Sequence, residues 1–157
     1  MSGLEHVAVF TRHRSPGKDV HADALQLAWN EDAWKKLLVC TDPRHFRAGD
    51  VVIQRGASDR AVYFVVAGSL EVGLFRAPTE GAAPIARIGV GSVIGEQSFF
   101  DSQPRSMNVW AASDGQLLRL TPEAFEGFGR EEPDLARDLL FALGRVLSLR
   151  LRGTPKT

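Results

Sequence analysis

Residues 44–120 carry the feature that most constrains the fold of this chain. Short runs of β-branched and aromatic residues alternate there with glycine-, proline- and aspartate-containing turns. Turn residues that recur about every 8–12 positions between such runs are typical of a β-sandwich or barrel. We therefore predict strands at Val51–Ile53, Val62–Val66, Leu70–Phe75, Ile85–Ile88 and Leu117–Leu120.

One segment inside this β region breaks the pattern. Residues 95–101 lack alternation and end in the pair Phe99-Phe100, which predicts a single helical turn. An interruption of this kind places a short helix within an otherwise all-β region.

The region before the strands, residues 1–42, is predicted to be an N-terminal helical segment. His6–Phe10 is interpreted as a short strand and Asp23–Trp29 as a weak helix. Asn30 has the side chain of an N-cap for a helix that Asp42-Pro43 ends.

The region after the strands, residues 122–152, is predicted to be helical as well. Thr121 followed by Pro122 is typical of a helix start, here of a short helix to about Phe128. The longest predicted helix is Glu131–Arg152. It carries an apolar stripe too wide for a single packing contact, at Leu135, Leu139, Leu143, Val146 and Leu147.

Length, charge and cysteine content exclude several classes of protein. The chain has 157 residues, enough for one domain with its own core. Nineteen basic and 19 acidic residues give a net charge of 0, which argues against a general electrostatic attraction to nucleic acid or to an anionic membrane. A single cysteine excludes an internal disulfide framework. No signal peptide and no apolar run of about 18 residues is apparent, so a cytoplasmic protein is expected.

The chemistry is concentrated in residues 91–106. A glycine, Gly95, opens the predicted helical turn, where free backbone N–H groups can face an anion. Arg105, after a proline turn, offers a fork of donors to a phosphate, and Glu96 can accept hydrogen bonds from sugar hydroxyls. Phosphate and sugar together indicate a nucleotide. The simpler alternative is that Gly95 only makes a turn and that Glu96 and Arg105 pair with each other or with solvent.

The pattern Gly95-Glu96 followed by Pro104-Arg105-Ser106 resembles the phosphate-binding cassette of the cyclic nucleotide-binding domain family. That family includes bacterial catabolite activator proteins and the regulatory subunits of cyclic-AMP-dependent kinase. The upstream stretches 46–56 and 62–72 and the helix start at Thr121 agree, so the resemblance covers about residues 44–149. It implies a mainly β fold with flanking helices: a jelly-roll-like antiparallel barrel of eight strands over residues 43–121, with helices at 1–42 and 122–152.

The resemblance also implies roles for five residues. Glu96 would accept from the ribose 2′-hydroxyl, and Arg105 would pair with the exocyclic oxygens of a cyclic phosphate. Backbone N–H groups of Gly95, Gln97 and Ser106 would complete the anion site, and Ser106 is a candidate position for base selectivity. Arg105 is expected to lie outside the core. Gln97-Ser98 departs from the Leu-Ala that is frequent in the family.

The expected function is that of a regulatory sensor. The chain would bind cAMP or cGMP, with no further cofactor and no metal, and would transmit binding through the C-terminal helix to an effector protein. A homodimer through that helix is left open. Direct DNA binding is not expected, since only residues 153–157 follow the helix. The alternatives are a ligand-free interaction scaffold, a site for a cyclic dinucleotide, and a metal-dependent jelly-roll enzyme. The enzyme is disfavoured because all four histidines precede the strands.

Overall fold

The computed structural model describes residues 3–12, 23–74 and 84–153. Helices within these residues are Gly3–Arg12 (α1), Glu31–Leu38 (α2), Glu96–Asp101 (α3), Pro122–Glu131 (α4) and Pro133–Gly153 (α5). Strands are Asp42–Phe46 (β1), Val51–Ile53 (β2), Val62–Ala67 (β3), Leu70–Gly73 (β4), Ala86–Ile88 (β5), Val93–Ile94 (β6), Asn108–Ala111 (β7) and Gly115–Leu120 (β8).

The strands form two antiparallel four-stranded sheets, in the orders β1-β8-β3-β6 and β2-β7-β4-β5. One core cluster contains residues from both sheets, so the sheets face each other across a shared apolar interior. The prediction of a mainly β, jelly-roll-like fold with flanking helices is confirmed. The two sheets are not joined into a closed barrel.

Strand β3 explains how the two layers of the core are connected. Its residues from 62 to 66 are all buried, unlike those of a strand with one wet face. Because side chains alternate along a strand, Val62, Phe64 and Val66 lie on the face of the sheet that packs against the helices, called here the helical side. Tyr63 and Val65 belong to the interior between the sheets.

The helical side is closed by α1, α2, α4 and α5. Leu139, Leu143 and Val146 of α5 are fully buried in this layer, as the predicted stripe requires. The two predicted caps are present. Asn30 Oδ1 accepts from the Ala33 N–H at 2.9 Å, and the Thr121 hydroxyl accepts from the Ala124 N–H at 3.1 Å.

Two predictions in the N-terminal segment are wrong. His6–Phe10 lies in helix α1 rather than in a strand, because Val7 and Phe10, three residues apart, bury one helical face. The Phe10 ring stacks on Trp34 with 4.6 Å between centroids. Asp23–Trp29 is not helical, and the Leu25 N–H donates to the Gly91 carbonyl at 3.1 Å.

Other differences concern the ends of strands. Strand β1 begins at Asp42, inside the stretch predicted to end a helix, and it tolerates Pro43 because it is an edge strand. Strands β6 and β7 were not predicted. The strand predicted over 70–75 ends at Gly73, and residue 75 lies outside the described residues. No helix in the described residues is long and apolar enough to cross a membrane.

Candidate functional site

A cavity of about 470 Å³ opens beside α3, between the β2-β7-β4-β5 sheet and the C-terminal end of α5. All five predicted site residues line it: Gly95, Glu96, Gln97, Arg105 and Ser106. Its other wall is apolar and comes mainly from Ile53, Val72, Ile85, Ile88 and Val109. The cavity therefore has a polar end and an apolar end, in the size range of small-molecule sites.

Gly95 is required by both its conformation and its surroundings. Its φ is +82°, a left-handed backbone that side chains disfavour. A Cβ there would lie 2.7 Å from Arg105 Nη1 and 2.8 Å from the Ala61 carbonyl oxygen. The glycine thus lets the chain turn into α3 directly against the arginine.

Arg105 is buried, with only 4% of its surface exposed, but it belongs to neither of the two hydrophobic core clusters. Its Nη1 donates to the Gly95 carbonyl at 2.8 Å, and its Nη2 donates to Asp59 Oδ2 at 2.9 Å and to the Ala61 carbonyl at 2.6 Å. Its Nε is buried without a hydrogen-bond partner among the described residues. A buried donor in that state is costly unless something else accepts from it.

Asp59 fixes this arginine. Its carboxylate also accepts from the Tyr63 hydroxyl at 2.7 Å and lies 3.5 Å from Arg119 Nη2. Burial acts to raise the pKa of Asp59, but the hydrogen bonds from Tyr63 and Arg105 outweigh it and lower the pKa from 3.8 to about 2. The carboxylate is therefore ionised over the whole physiological range.

Glu96 pairs with Arg150, not with Arg105 as in the simpler alternative. Its Oε2 lies 2.9 Å from Nη1 of Arg150, and its side chain is only 8% exposed. Arg150 also bonds Asp23 Oδ2 at 2.7 Å. Burial alone would lower the pKa of Arg150, but Glu96 and Asp23 raise it. The end of α5 is thus attached to the first residue of α3.

A hydrogen bond between Gln97 and Ser106 joins the two ends of the segment 95–106. The Ser106 hydroxyl donates to Gln97 Oε1, and both side chains are exposed at the cavity. The Gln97 amide group retains its N–H donors and the Ser106 oxygen its lone pairs. The departure from the Leu-Ala of the family therefore gives this part of the cavity a polar edge.

Sequence reasoning missed three residues of the site: Asp23, Asp59 and Arg150. The side chain of Arg150 is 22% exposed and contacts two carboxylates, those of Asp23 and Glu96. Asp23 and Asp59 stand 73 and 37 positions before Glu96, with no local motif around them. In the described residues, no group of three or more His, Cys, Asp and Glu side chains is arranged to hold a metal.

The geometry places a buried arginine, a glutamate and a glycine turn together at one end of the cavity. Comparison with known proteins identifies the family to which the chain belongs. Residues 43–132 match the family model of the cyclic nucleotide-binding domain. The chain belongs to this family.

Two relatives illustrate the similarity in sequence. The chain is 30% identical over 102 residues to the Pycsar effector protein BcPycTIR of Burkholderia cepacia, covering 64% of this chain and 32% of that protein. It is 32% identical over 105 residues to the cyclic AMP receptor protein of Thermus thermophilus, covering 66% of this chain and 48% of that one. It therefore spans a third to a half of these relatives.

Among solved structures, a cyclic nucleotide-binding domain from Methylobacillus flagellatus superposes with a TM-score of 0.74 at 20% identity. The superposition covers 96% of this chain and 78% of that one. It extends the similarity in fold beyond residues 43–132, to most of the chain.

Proposed function

We propose that this chain is a sensor that binds a cyclic mononucleotide, cAMP or cGMP, in the cavity beside α3. The observation that carries the proposal is the Nε of Arg105, a buried donor without a partner in the described residues, on a side chain that lines the cavity. A cyclic phosphate oxygen would accept from this donor in a partly dry site, where such bonds are strong.

The remaining roles follow from the two ends of the cavity. Glu96 Oε1 would accept from the ribose 2′-hydroxyl, while Oε2 stays with Arg150. The backbone N–H groups of Gly95, Gln97 and Ser106 would face the phosphate. The base would lie against the apolar wall, where burial of its rings is favourable. We assign this function to a domain at residues 43–152.

We prefer a mononucleotide sensor to the alternatives because of the cavity and the unpartnered Arg105 nitrogen within the site. A ligand-free scaffold gives no reason to keep a cavity of about 470 Å³ with a buried, unpartnered arginine nitrogen. The Thermus relative is named as a receptor for cyclic AMP, which favours the same ligand class here. We propose a regulatory role without catalytic activity. We also propose that the protein is located in the cytoplasm.

The output is proposed to be movement of α5 against an effector protein. Leu149 and Arg150 at the end of α5 line the cavity, so a ligand would contact this helix directly. Ligand that binds the closed position of α5 more tightly would shift the population toward it. Phe141, 74% exposed on the outer face of α5, is a candidate contact for the effector or for a second copy.

Thermal unfolding in the presence of single nucleotides tests the proposal. A ligand that binds only the folded state raises the unfolding temperature in proportion to RT ln(1 + [L]/Kd). We expect a rise with cAMP or cGMP and none with 5′-AMP or 5′-GMP, which carry a doubly charged, open phosphate. Stabilisation by a cyclic dinucleotide alone would replace the proposed ligand class, and no stabilisation by any cyclic nucleotide would overturn the proposal.

A further inference from the structure

Two charged residues of the site lie outside the matched segment 43–132: Asp23 in the N-terminal segment and Arg150 near the end of α5. Both line the same cavity as Glu96. The contacts that hold Glu96 therefore come from parts of the chain that flank the matched segment on both sides.

Arg150 uses all three nitrogens of its guanidinium. Nη1 lies 2.9 Å from Glu96 Oε2, Nε donates to Asp23 Oδ2 at 2.7 Å, and Nη2 donates to the Val93 carbonyl at 2.8 Å. A planar guanidinium held at three edges has one orientation, and a carboxylate bound to it is oriented too. Without Asp23, Arg150 keeps its contacts with Val93 of β6 and Glu96 of α3, two residues only three positions apart in the chain.

The segment that carries Asp23, residues 23–29, is itself bonded to the rest of the protein. Two residues later, the Leu25 N–H donates to the Gly91 carbonyl, and the Leu25 side chain is buried. Further along, the Trp29 indole N–H donates to Asp138 Oδ2 of α5 at 3.2 Å. The segment 23–29 therefore bonds α5 at two places, one at the cavity and one 12 residues earlier on the helix.

We propose that Asp23 is a positioning residue of the sugar subsite, which orients Glu96 for the ribose hydroxyl by fixing Arg150. This inference rests on the proposed function. It follows that the nucleotide site is complete only when residues 23–29 are docked, and that ligand affinity and docking of the N-terminal segment stabilise each other.

The test compares D23N with D138N in the full chain. Both replace an aspartate that bonds the N-terminal segment and α5 to each other, but only Asp23 lines the cavity. The measured quantities are the Kd values for the cyclic ribonucleotide and for its 2′-deoxy analogue. In D23N we expect the ribonucleotide to bind about ten-fold more weakly and the 2′-deoxy analogue less than about two-fold more weakly. D138N changes neither by more than about two-fold, and D23E restores part of the preference.

The ratio of the two Kd values distinguishes a role of Asp23 in orienting Glu96 from a general effect on the structure. Equal weakening of both ligands would show a merely structural role, and unchanged or tighter binding of the ribonucleotide would show that Asp23 does not support the site. Each of these results overturns the inference and leaves the proposed function standing.

A second readout needs no ligand. In the free protein, loss of Asp23 should speed amide exchange in residues 93–99, and loss of Asp138 should not. If the wild-type protein binds no cyclic nucleotide, the proposed function fails, and this exchange still decides whether Asp23 fixes Glu96. Equal exchange in D23N and D138N overturns the positioning role.

Discussion

Asp59 Oδ2 lies 2.9 Å from Nη2 of Arg105, and this contact fixes the orientation of the arginine. Tyr63 donates to the same carboxylate oxygen, so the pair belongs to a small network rather than to an isolated ion pair. A cation held in this way needs little reorganisation when an anion arrives, which increases affinity by lowering the entropic cost of binding. The anion site that we propose is preorganised by residues that do not line it.

Replacement of Arg105 should be the most damaging single change for binding. We expect R105A to weaken nucleotide binding by about 2–4 kcal/mol, or about 30- to 1,000-fold, because a buried charged donor is lost. R105K keeps the charge without the fork of donors and should still weaken binding at least about ten-fold. Calorimetric titration measures both.

The matched control is R130K, at a 77% exposed arginine of α4. Since Arg105 also bonds Asp59 and two carbonyls, thermal unfolding must show that R105K remains folded. A folded R105K that binds as tightly as the wild type would remove Arg105 from the phosphate site.

E96Q should change selectivity more than affinity. An amide accepts less strongly than a carboxylate, so the preference for a ribonucleotide over its 2′-deoxy analogue should fall by about three- to ten-fold. Affinity for the 2′-deoxy analogue is expected to change little. The E126Q variant, at a 72% exposed glutamate, serves as control. The same preference in E96Q and wild type would contradict a ribose role for Glu96.

The lowered pKa of Asp59 predicts a specific acid response. Its folded-state pKa of about 2 lies below the ordinary 3.8, so the carboxylate stabilises the fold above about pH 4. This stabilisation is lost as the pH falls from about 4 to 2. Urea unfolding across this range should therefore show a steeper loss of stability in the wild type than in D59N. Parallel curves for the two proteins would show that Asp59 is not held in its ionised form.

Ligand should alter α5 more than the sheets. We expect slower amide exchange in residues 95–106 and in residues 136–149 when nucleotide is bound, because Leu149 and Arg150 line the cavity. The β2-β7-β4-β5 sheet should change little. Protection confined to residues 95–106 would leave α5 as a static part of the core and would refute the proposed output.

The sequence predicted those strands, helix caps and turns that depend on residues close together in the chain. The β-branched run at 62–66 forms strand β3, Asn30 and Thr121 cap their helices, and Gly95 opens the short helix that the loss of alternation indicated. In each case the cause lies within a few residues of the feature. The resemblance of residues 95–106 to the phosphate-binding cassette of the family, rather than their local pattern, predicted a common site for Gly95 and Arg105, and both line the same cavity.

The features that were missed depend on distant partners. Strand β1 contains Pro43 and four exposed residues in a row, and only its pairing with β8 makes it a strand. His6–Phe10 is apolar enough for either a strand or a helix, and contact with α2 decides for the helix. Asp59 and Arg150 meet their partners across 46 and 54 positions, so no motif could reveal them.

The most direct test of the account is calorimetric titration of the wild-type protein with cAMP, cGMP, a cyclic dinucleotide and the linear 5′-monophosphates. The account predicts saturable binding of one molecule per chain for at least one cyclic mononucleotide, and no comparable binding of the linear nucleotides. Absence of binding by both cAMP and cGMP to the folded protein, or equal binding of the cyclic and linear forms, would contradict it.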